Sequence, residues 1–317
     1  MNRSVPSKAR TLKKYCVILA AFNGVRFLHE QIDSILQQQG VEVRLVISVD
    51  RSTDGTEVLA KSIAQKDARV SILPFCNTFG GAAPNFFHLL RCIEIQDFDY
   101  VSFADQDDIW LSHKLLRAHE VLEKTGADGY SGDVIAFWPN GRKLLIQKSQ
   151  KQQKWDFLFE SPGPGCTFVL TRHLALECQS KVRVSFTELA SVAFHDWFIY
   201  ALARAGNHRW VIDPQPHMLY RQHSGNQIGA NSGLRSWLLR VARISSGWGF
   251  TQACLIARLA GLESHPFVAP WISGQRLGLV RLAFHCHQCR RKTADRILFL
   301  VSCLWMALCL PGRERLH

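Results

Sequence analysis

Asp105, Asp107 and Asp108 are crowded into the stretch VSFADQDDIWLSHK. Three carboxylates in one turn repel one another unless something positive joins them. Hard divalent cations such as Mg²⁺ or Mn²⁺ take oxygen ligands, commonly one or two protein carboxylates completed by phosphate oxygens, and a D-x-D turn offers such a set. A second acid, Asp196 in FHDWFIYALARAG, stands with His195 at the head of a strongly apolar helical segment. There it can cap the helix and also project as a general base.

These acids need a frame. FDYVSFA, ahead of the cluster, reads as a buried strand, and SHKLLRAHEVLEK, after it, as an amphipathic helix. Further back, strands over 15–22, 41–50 and 70–75 alternate with helices over 25–39, EVLAKSIAQKD and APNFFHLLRCIEI. Such alternation predicts an α/β fold with right-handed crossovers and a mainly parallel sheet covered on both faces. Ligands of these sheets bind beyond the carboxyl ends of the strands. The unusual polar residues cluster there: Asn23 and Gly24, Asp50 with the STDGT turn, Asn77 to Gly81, and DQDD. Beyond Lys124 the pattern loosens into a hairpin turning at PNG, a Gly/Pro loop with a short strand and helix over 161–177, the helix 194–206, and short strands in HRWVIDPQPHMLYRQHSGN.

The 317 residues suffice for a large core, and 47% hydrophobic against 20% charged residues describes a folded chain. The ten cysteines are scattered, so free thiols are expected; HCHQC at 285–289 lacks the second ligand pair of a structural zinc site. The basic start is followed by an apolar run too short for a signal peptide, which places the catalytic part in the cytosol. Net charge is +12, and residues 231–317 hold twelve Lys and Arg against three acids, Glu263, Asp295 and Glu314. Interleaved with Trp237, Trp248, Phe250, Trp271 and Trp305, this basic quarter suits anionic lipid headgroups. No nucleic-acid-binding motif accompanies it, so nucleic acid is not an expected partner.

LAAFNGVRFLHEQIDSILQQ, SVDRSTDGT, ADQDDIWLSHKL, PGPGCTFVLTR, HDWFIYALA and YRQHSGNQIG occur in the order of a family-2 glycosyltransferase, and the chain resembles bacterial rhamnosyltransferases of surface polysaccharide assembly over about residues 15–230. The resemblance implies a GT-A (Rossmann-like) domain at 15–230, with a nucleotide-sugar half at 15–124 and an acceptor half at 125–230. A basic tail at 1–14 precedes it, and a basic amphipathic helical membrane-associating region at 231–317 follows. Two departures stand out: Val49 and Arg51 replace the usual acid and glycine around Asp50, and AAFN lacks the family's Thr and Tyr hydroxyls.

The implied reaction is inverting transfer from a nucleotide-sugar donor, with dTDP-rhamnose the candidate, to a saccharide acceptor on polyprenyl diphosphate at the inner face of the cytoplasmic membrane. Mg²⁺ or Mn²⁺ would offset the diphosphate's growing charge. By this resemblance Asp107 is the main metal ligand, and Asp105 contacts ribose or a metal-bound water. Asp108 either lies behind them or caps the next helix. Asp50 accepts from the base N3–H, and the backbone of Ala20 to Phe22 lines the same pocket beside Asn23. Asp196 is the base. Arg221 could fork onto the diphosphate, and His223 could bind metal or a phosphate oxygen.

ILFLVSCLWMALCL, at 297–310, is shorter than the roughly 20 residues of a bilayer span. With RSWLLRVARI it reads as peripheral membrane attachment. A nucleotidyltransferase would require a Gly-rich basic loop after the first strand, for which AAFNGVRF is a poor match. A non-catalytic scaffold is the other rival.

Overall fold

The computed structural model describes residues 12–75, 78–223 and 247–309. The expectations for Asn77, Trp237, RSWLLRVARI, the SGNQIG end of the last motif and the basic residues after 309 lie outside that set.

Strands β1 (Lys13–Ala21), β2 (Val41–Val49), β3 (Val70–Ile72) and β4 (Tyr100–Asp105) alternate with helices α1 (Val25–Leu36), α2 (Thr56–Lys66) and α3 (Ala82–Cys92), as the periodicity predicts. Next come β5 (Ile109–Trp110), α4 (Lys114–Thr125), β6 (Gly129–Gly132), β7 (Val134–Phe137) and β8 (Lys143–Ile146). The acceptor half closes with β9 (Val169–Thr171), α5 (Arg172–Val184), α6 (Phe186–Leu189), α7 (His195–Ala205), β10 (Trp210–Asp213) and β11 (Met218–Arg221).

The main sheet has the order β10-β6-β9-β4-β1-β2-β3. Its pairs are parallel except that β9 runs against both β4 and β6. A smaller sheet, β5-β11-β7-β8, stands beside it and contains the expected hairpin, whose turn is closed by the Trp138 amide donating to the Arg142 carbonyl at 3.0 Å. β1 shows why the main sheet is buried on both faces. Cys16 and Ile18 point into one core with Phe86, Phe103 and Phe198, while Tyr15, Val17 and Leu19 point into another with Leu28, Ile32 and Leu115. A near-continuous apolar strand is what a parallel sheet covered by helices requires.

The C-terminal helices Trp248–Leu259, Ala269–Ile272, Arg276–Phe284, Cys286–Cys289 and Thr293–Cys309 belong to the first of these cores. Trp155 stacks on Phe267 at 4.6 Å, and Phe159 packs on Trp271 and Phe299. This corrects one expectation: Trp271, read as a headgroup anchor, is 1% exposed and belongs to the core, and Phe250 packs against it. Trp248 leans on Phe194. The helix Thr293–Cys309 has two unlike faces. Cys303 and Ala307 are buried, whereas Ile297, Val301, Trp305 and Leu308 form an exposed apolar stripe, with Trp305 57% exposed. Among the described residues no helix is long and apolar enough to cross a membrane. Among the described residues no two cysteines are joined by a disulfide.

Candidate active site

Parallel β1, β2, β3 and β4 deliver their loops to one rim. Because β9 runs antiparallel, with Val169 opposite Ser102, the loop entering it arrives where the β4 loop leaves. Ser161, Gly165 and Cys166 thereby face DQDD, and α7 starts beside them.

The first two loops hold each other. Asn23 takes a left-handed conformation (φ 46°), and its Oδ1 accepts from the Thr53 amide at 2.8 Å; its own amide donates to Ser52 Oγ at 3.0 Å. Asp54 accepts from the Val25 amide at one helix start and from the Thr56 amide at the next, both at 3.0 Å, and from the Thr56 hydroxyl. Partial burial pushes the Asp54 carboxyl up, but these donors outweigh it and hold it below the usual range. Asn23 thus serves as a tie between loops rather than as an open ligand contact. Asp50 is likewise engaged: it is 3% exposed and accepts from the amides of Arg51 at 2.7 Å, Phe79 at 2.9 Å and Gly80 at 3.0 Å. The loop after β3 folds over it, so the carboxylate expected to meet a base fastens that loop. Ala20 is half-buried at the end of β1, in register with Asp105, and Phe22 is exposed at the rim.

Gln106, the middle residue of the D-x-D turn, was not singled out from sequence. Its amide pairs with the Phe22 backbone in both directions, Oε1 accepting from the nitrogen and Nε2 donating to the carbonyl, each at 2.7 Å. Gly24 makes room for it, since a Cβ there would stand 2.1 Å from Gln106 Oε1.

Of the three acids Asp105 is half-buried, while Asp107 and Asp108 are buried. Asp107 Oδ2 lies 2.7 Å from His223 Nε2, and the imidazole packs on Phe27 at 5.0 Å. Two ligands cis on an octahedral ion with bonds of about 2.1 Å stand about 3 Å apart, so this pair has the spacing for a hard cation. Burial, then the charge of Asp107, holds Asp105 well above the normal carboxylate range, with Asp196 adding to the effect. Asp108 is fully buried and raised for the same leading reasons; Oδ1 accepts from the Arg221 amide at 3.1 Å, and Oδ2 has no partner. Asp108 does not cap α4, which starts at Lys114. That lysine, also unforeseen, is 2% exposed with Nζ unpaired over the Trp110 ring, and burial lowers it to about 7. A cluster with this much unbalanced negative charge fits a divalent cation at Asp107 and His223.

The Arg221 guanidinium lies between the rings of Phe27 and Phe137, each 4.7 Å away, donates from Nε to the Asp107 carbonyl at 2.8 Å, and pairs with Glu30. These contacts brace the acidic turn.

Across the cleft, Asp196 sits in the first turn of α7. Oδ1 accepts from the Trp197 amide at 2.7 Å and Oδ2 from Ser161 Oγ at 3.0 Å. Burial raises its carboxyl, opposed by those two donors and by Lys148. His195 is packing: its ring lies 4.0 Å from Phe86 and stacks on Phe103, and burial lowers it to about 3. Gly165 lets the chain pass, because a Cβ would meet His195 Nε2 at 2.3 Å. The PGPG run in the sequence is the trace of that constraint.

Glycosyl transferase family 2 matches residues 16–175, half of the chain. The dTDP-rhamnosyl transferase RfbG of Shigella flexneri is 36% identical over 284 residues, covering 89% of this chain and 98% of that protein. The chain belongs to glycosyl transferase family 2. It is a glycosyltransferase, which removes both the scaffold and the nucleotidyltransferase alternatives. Over a shorter stretch, 34% of this chain and 40% of the other, it is 27% identical to the UDP-Glc:alpha-D-GlcNAc-diphosphoundecaprenol beta-1,3-glucosyltransferase WfaP of Escherichia coli. Among solved structures, S. aureus TarS 1-349 in complex with UDP superposes with a TM-score of 0.55 at 15% identity, over 93% of this chain and 81% of that one. This likeness shows the GT-A glycosyltransferase fold.

Proposed function

We propose that this enzyme transfers a rhamnosyl group from dTDP-rhamnose, with inversion, to a saccharide carried on polyprenyl diphosphate during surface polysaccharide synthesis. The observation that carries the donor assignment is the match to a dTDP-rhamnosyl transferase along nearly the whole of both chains. The WfaP likeness supports a lipid diphosphate acceptor. Asp107 and His223 would hold Mg²⁺ or Mn²⁺, which as a Lewis acid offsets charge on the departing diphosphate. Asp105, half-buried two residues before Asp107, would orient the ribose side of the donor, and the Ala20–Phe22 backbone, pinned by Gln106, would form the floor for the base.

Asp196 Oδ2 takes the proton of the acceptor hydroxyl. The oxygen then bonds to the anomeric carbon from the face opposite the breaking bond, and the bonding pair leaves with the nucleoside diphosphate. Burial suits Asp196 to this, because a carboxyl raised toward working pH is the stronger base. Ser161, donating to Oδ2, fixes the direction of the lone pair. The apolar stripe of helix Thr293–Cys309 would lie in the membrane interface, within the proposed membrane-associating region 231–317, with Trp305 at headgroup level.

Donor choice is tested by following nucleotide release from dTDP-rhamnose, UDP-glucose and GDP-mannose with Mn²⁺ and a polyprenyl-diphosphate saccharide. Turnover of dTDP-rhamnose alone, giving the inverted anomer by NMR, is expected; turnover of another donor in its place would discard the rhamnosyl assignment. Membrane docking predicts co-sedimentation with anionic vesicles that weakens in Trp305→Ser/Leu308→Ser, and equal recovery of both proteins in the supernatant would end it.

A further inference from the structure

Behind the acceptor half, away from the cleft, His173, Glu177 and His208 converge. His173 and Glu177 are four residues apart on α5 and so share a face, with His173 Nε2 3.1 Å from Glu177 Oε1. His208, in the turn after α7, reaches the other oxygen, Nε2 to Oε2 at 2.7 Å. One ligand atom from each residue lies within 4.8 Å of the others.

We propose that these three side chains form a second cation site, selective for zinc-like transition metals and distinct from the hard-cation pair at the cleft. Two imidazoles and a carboxylate are a typical zinc set, and a tetrahedral ion with bonds of about 2.1 Å places ligand atoms about 3.4 Å apart and two imidazole centroids about 5 Å apart. The His173 and His208 rings are 5.4 Å apart and inclined at 64°. A further contact is independent of this convergence: the other nitrogen of His208, Nδ1, lies 3.2 Å from Asp128 Oδ2. A carboxylate on the far nitrogen fixes the tautomer that presents a lone pair at Nε2, and metal-bound histidines are ordinarily held this way. His208 is 10% exposed and fixed in position, while the His173 side chain is 70% exposed and free to swing in, which leaves the fourth position to water.

Burial lowers the affinity of His208 for a proton, but Glu177 and Asp128 more than restore it. Zinc would join α5 to the turn closing α7 and, through the Asp128 contact, to the residue leading into β6. The opposite ends of these elements border Ser161 and carry Asp196, so the ion would stiffen the acceptor wall from behind.

The test uses the full chain stripped with chelator and desalted. Zinc bound is measured by equilibrium dialysis, and melting temperature with and without zinc, in wild type, His173→Ala, Glu177→Gln and Asp107→Ala. His173 is exposed enough for its alanine variant to fold. The expected result is loss of one zinc equivalent and of the zinc-induced rise in melting temperature in His173→Ala and Glu177→Gln, with both retained in Asp107→Ala. Cobalt(II) should give the visible band of a low-coordinate site in wild type and Asp107→Ala but not in His173→Ala. Zinc uptake by His173→Ala equal to wild type, or none by Asp107→Ala, would overturn the site.

Discussion

The loops after β1 and β2 and the acidic turn after β4 sit on the same rim but use polar residues in opposite ways. In the first pair nearly every polar group is satisfied within the protein: Asn23 ties to Thr53, Asp54 to two helix starts, and Asp50 to the amides of Phe79 and Gly80. At the acidic turn the accounts stay open, with Asp105 and Asp108 forced up by burial and by the charge of Asp107, and Asp108 Oδ2 and Lys114 Nζ without a hydrogen-bond partner. Satisfied groups hold a shape. Unsatisfied charge marks where a ligand completes the protein.

That contrast can be broken by exchanging effects between the regions. Asp107→Asn and Asp196→Asn should each lower kcat by at least about 100-fold while leaving thermal unfolding near wild type, since the first removes one of several repelling carboxylates and the second keeps an acceptor for the Trp197 amide while Ser161 turns its hydroxyl to the Gly163 carbonyl and accepts from the new amide. Steady-state rates beside a melting curve decide this, and a large loss of stability with modest loss of rate would reverse the roles of the two regions. Asp54→Ala should do the opposite. It strips donors at two helix starts of their acceptor, so denaturant unfolding should show a loss of about 1–2 kcal/mol, with kcat well below the melting point close to wild type.

The smallest effect concerns His195. Its folded pKa, about 3, lies below the unfolded value of about 6.5, so between them the unfolded chain holds the extra proton. Its contribution is complete above about pH 6.5 and is lost as pH falls toward 3, by up to about 1.4 kcal/mol per unit. His195→Asn should flatten that part of the acid limb in urea titrations at several pH values. An unchanged slope would mean that the imidazole is charged in the folded protein.

Much of this was legible beforehand. β1 to β4 and their helices follow the switch between periods of two and 3.6, and the rim loops follow from the rule that polar turns gather beyond the carboxyl ends of parallel strands. The smaller sheet was legible only in part: its β7–β8 hairpin turns at PNG and β11 falls among the expected short strands, but β5 is two residues long and the pairing of β11 with β5 and β7 leaves no period to register. The reversal of β9, a three-residue strand, escaped for the same reason. The engagement of Asp50, Asn23 and Arg221 escaped for a different one: residue type says what a side chain can bind, but the loop folded over it decides what it does bind. Arg221, for one, is set between Phe27 and Phe137 and paired with Glu30.

The reciprocal pairing of the Gln106 amide with the backbone of Phe22 is the kind of bond pair that joins neighbouring strands. Here it joins two loops, one from each of two adjacent strands, and so extends the sheet's rigidity past its own edge. The Phe22 loop and the turn that carries Asp107 therefore keep a fixed spacing. On the proposed function, a ligand that displaced one would drag the other with it, and the distance from base to diphosphate would be a length the protein measures.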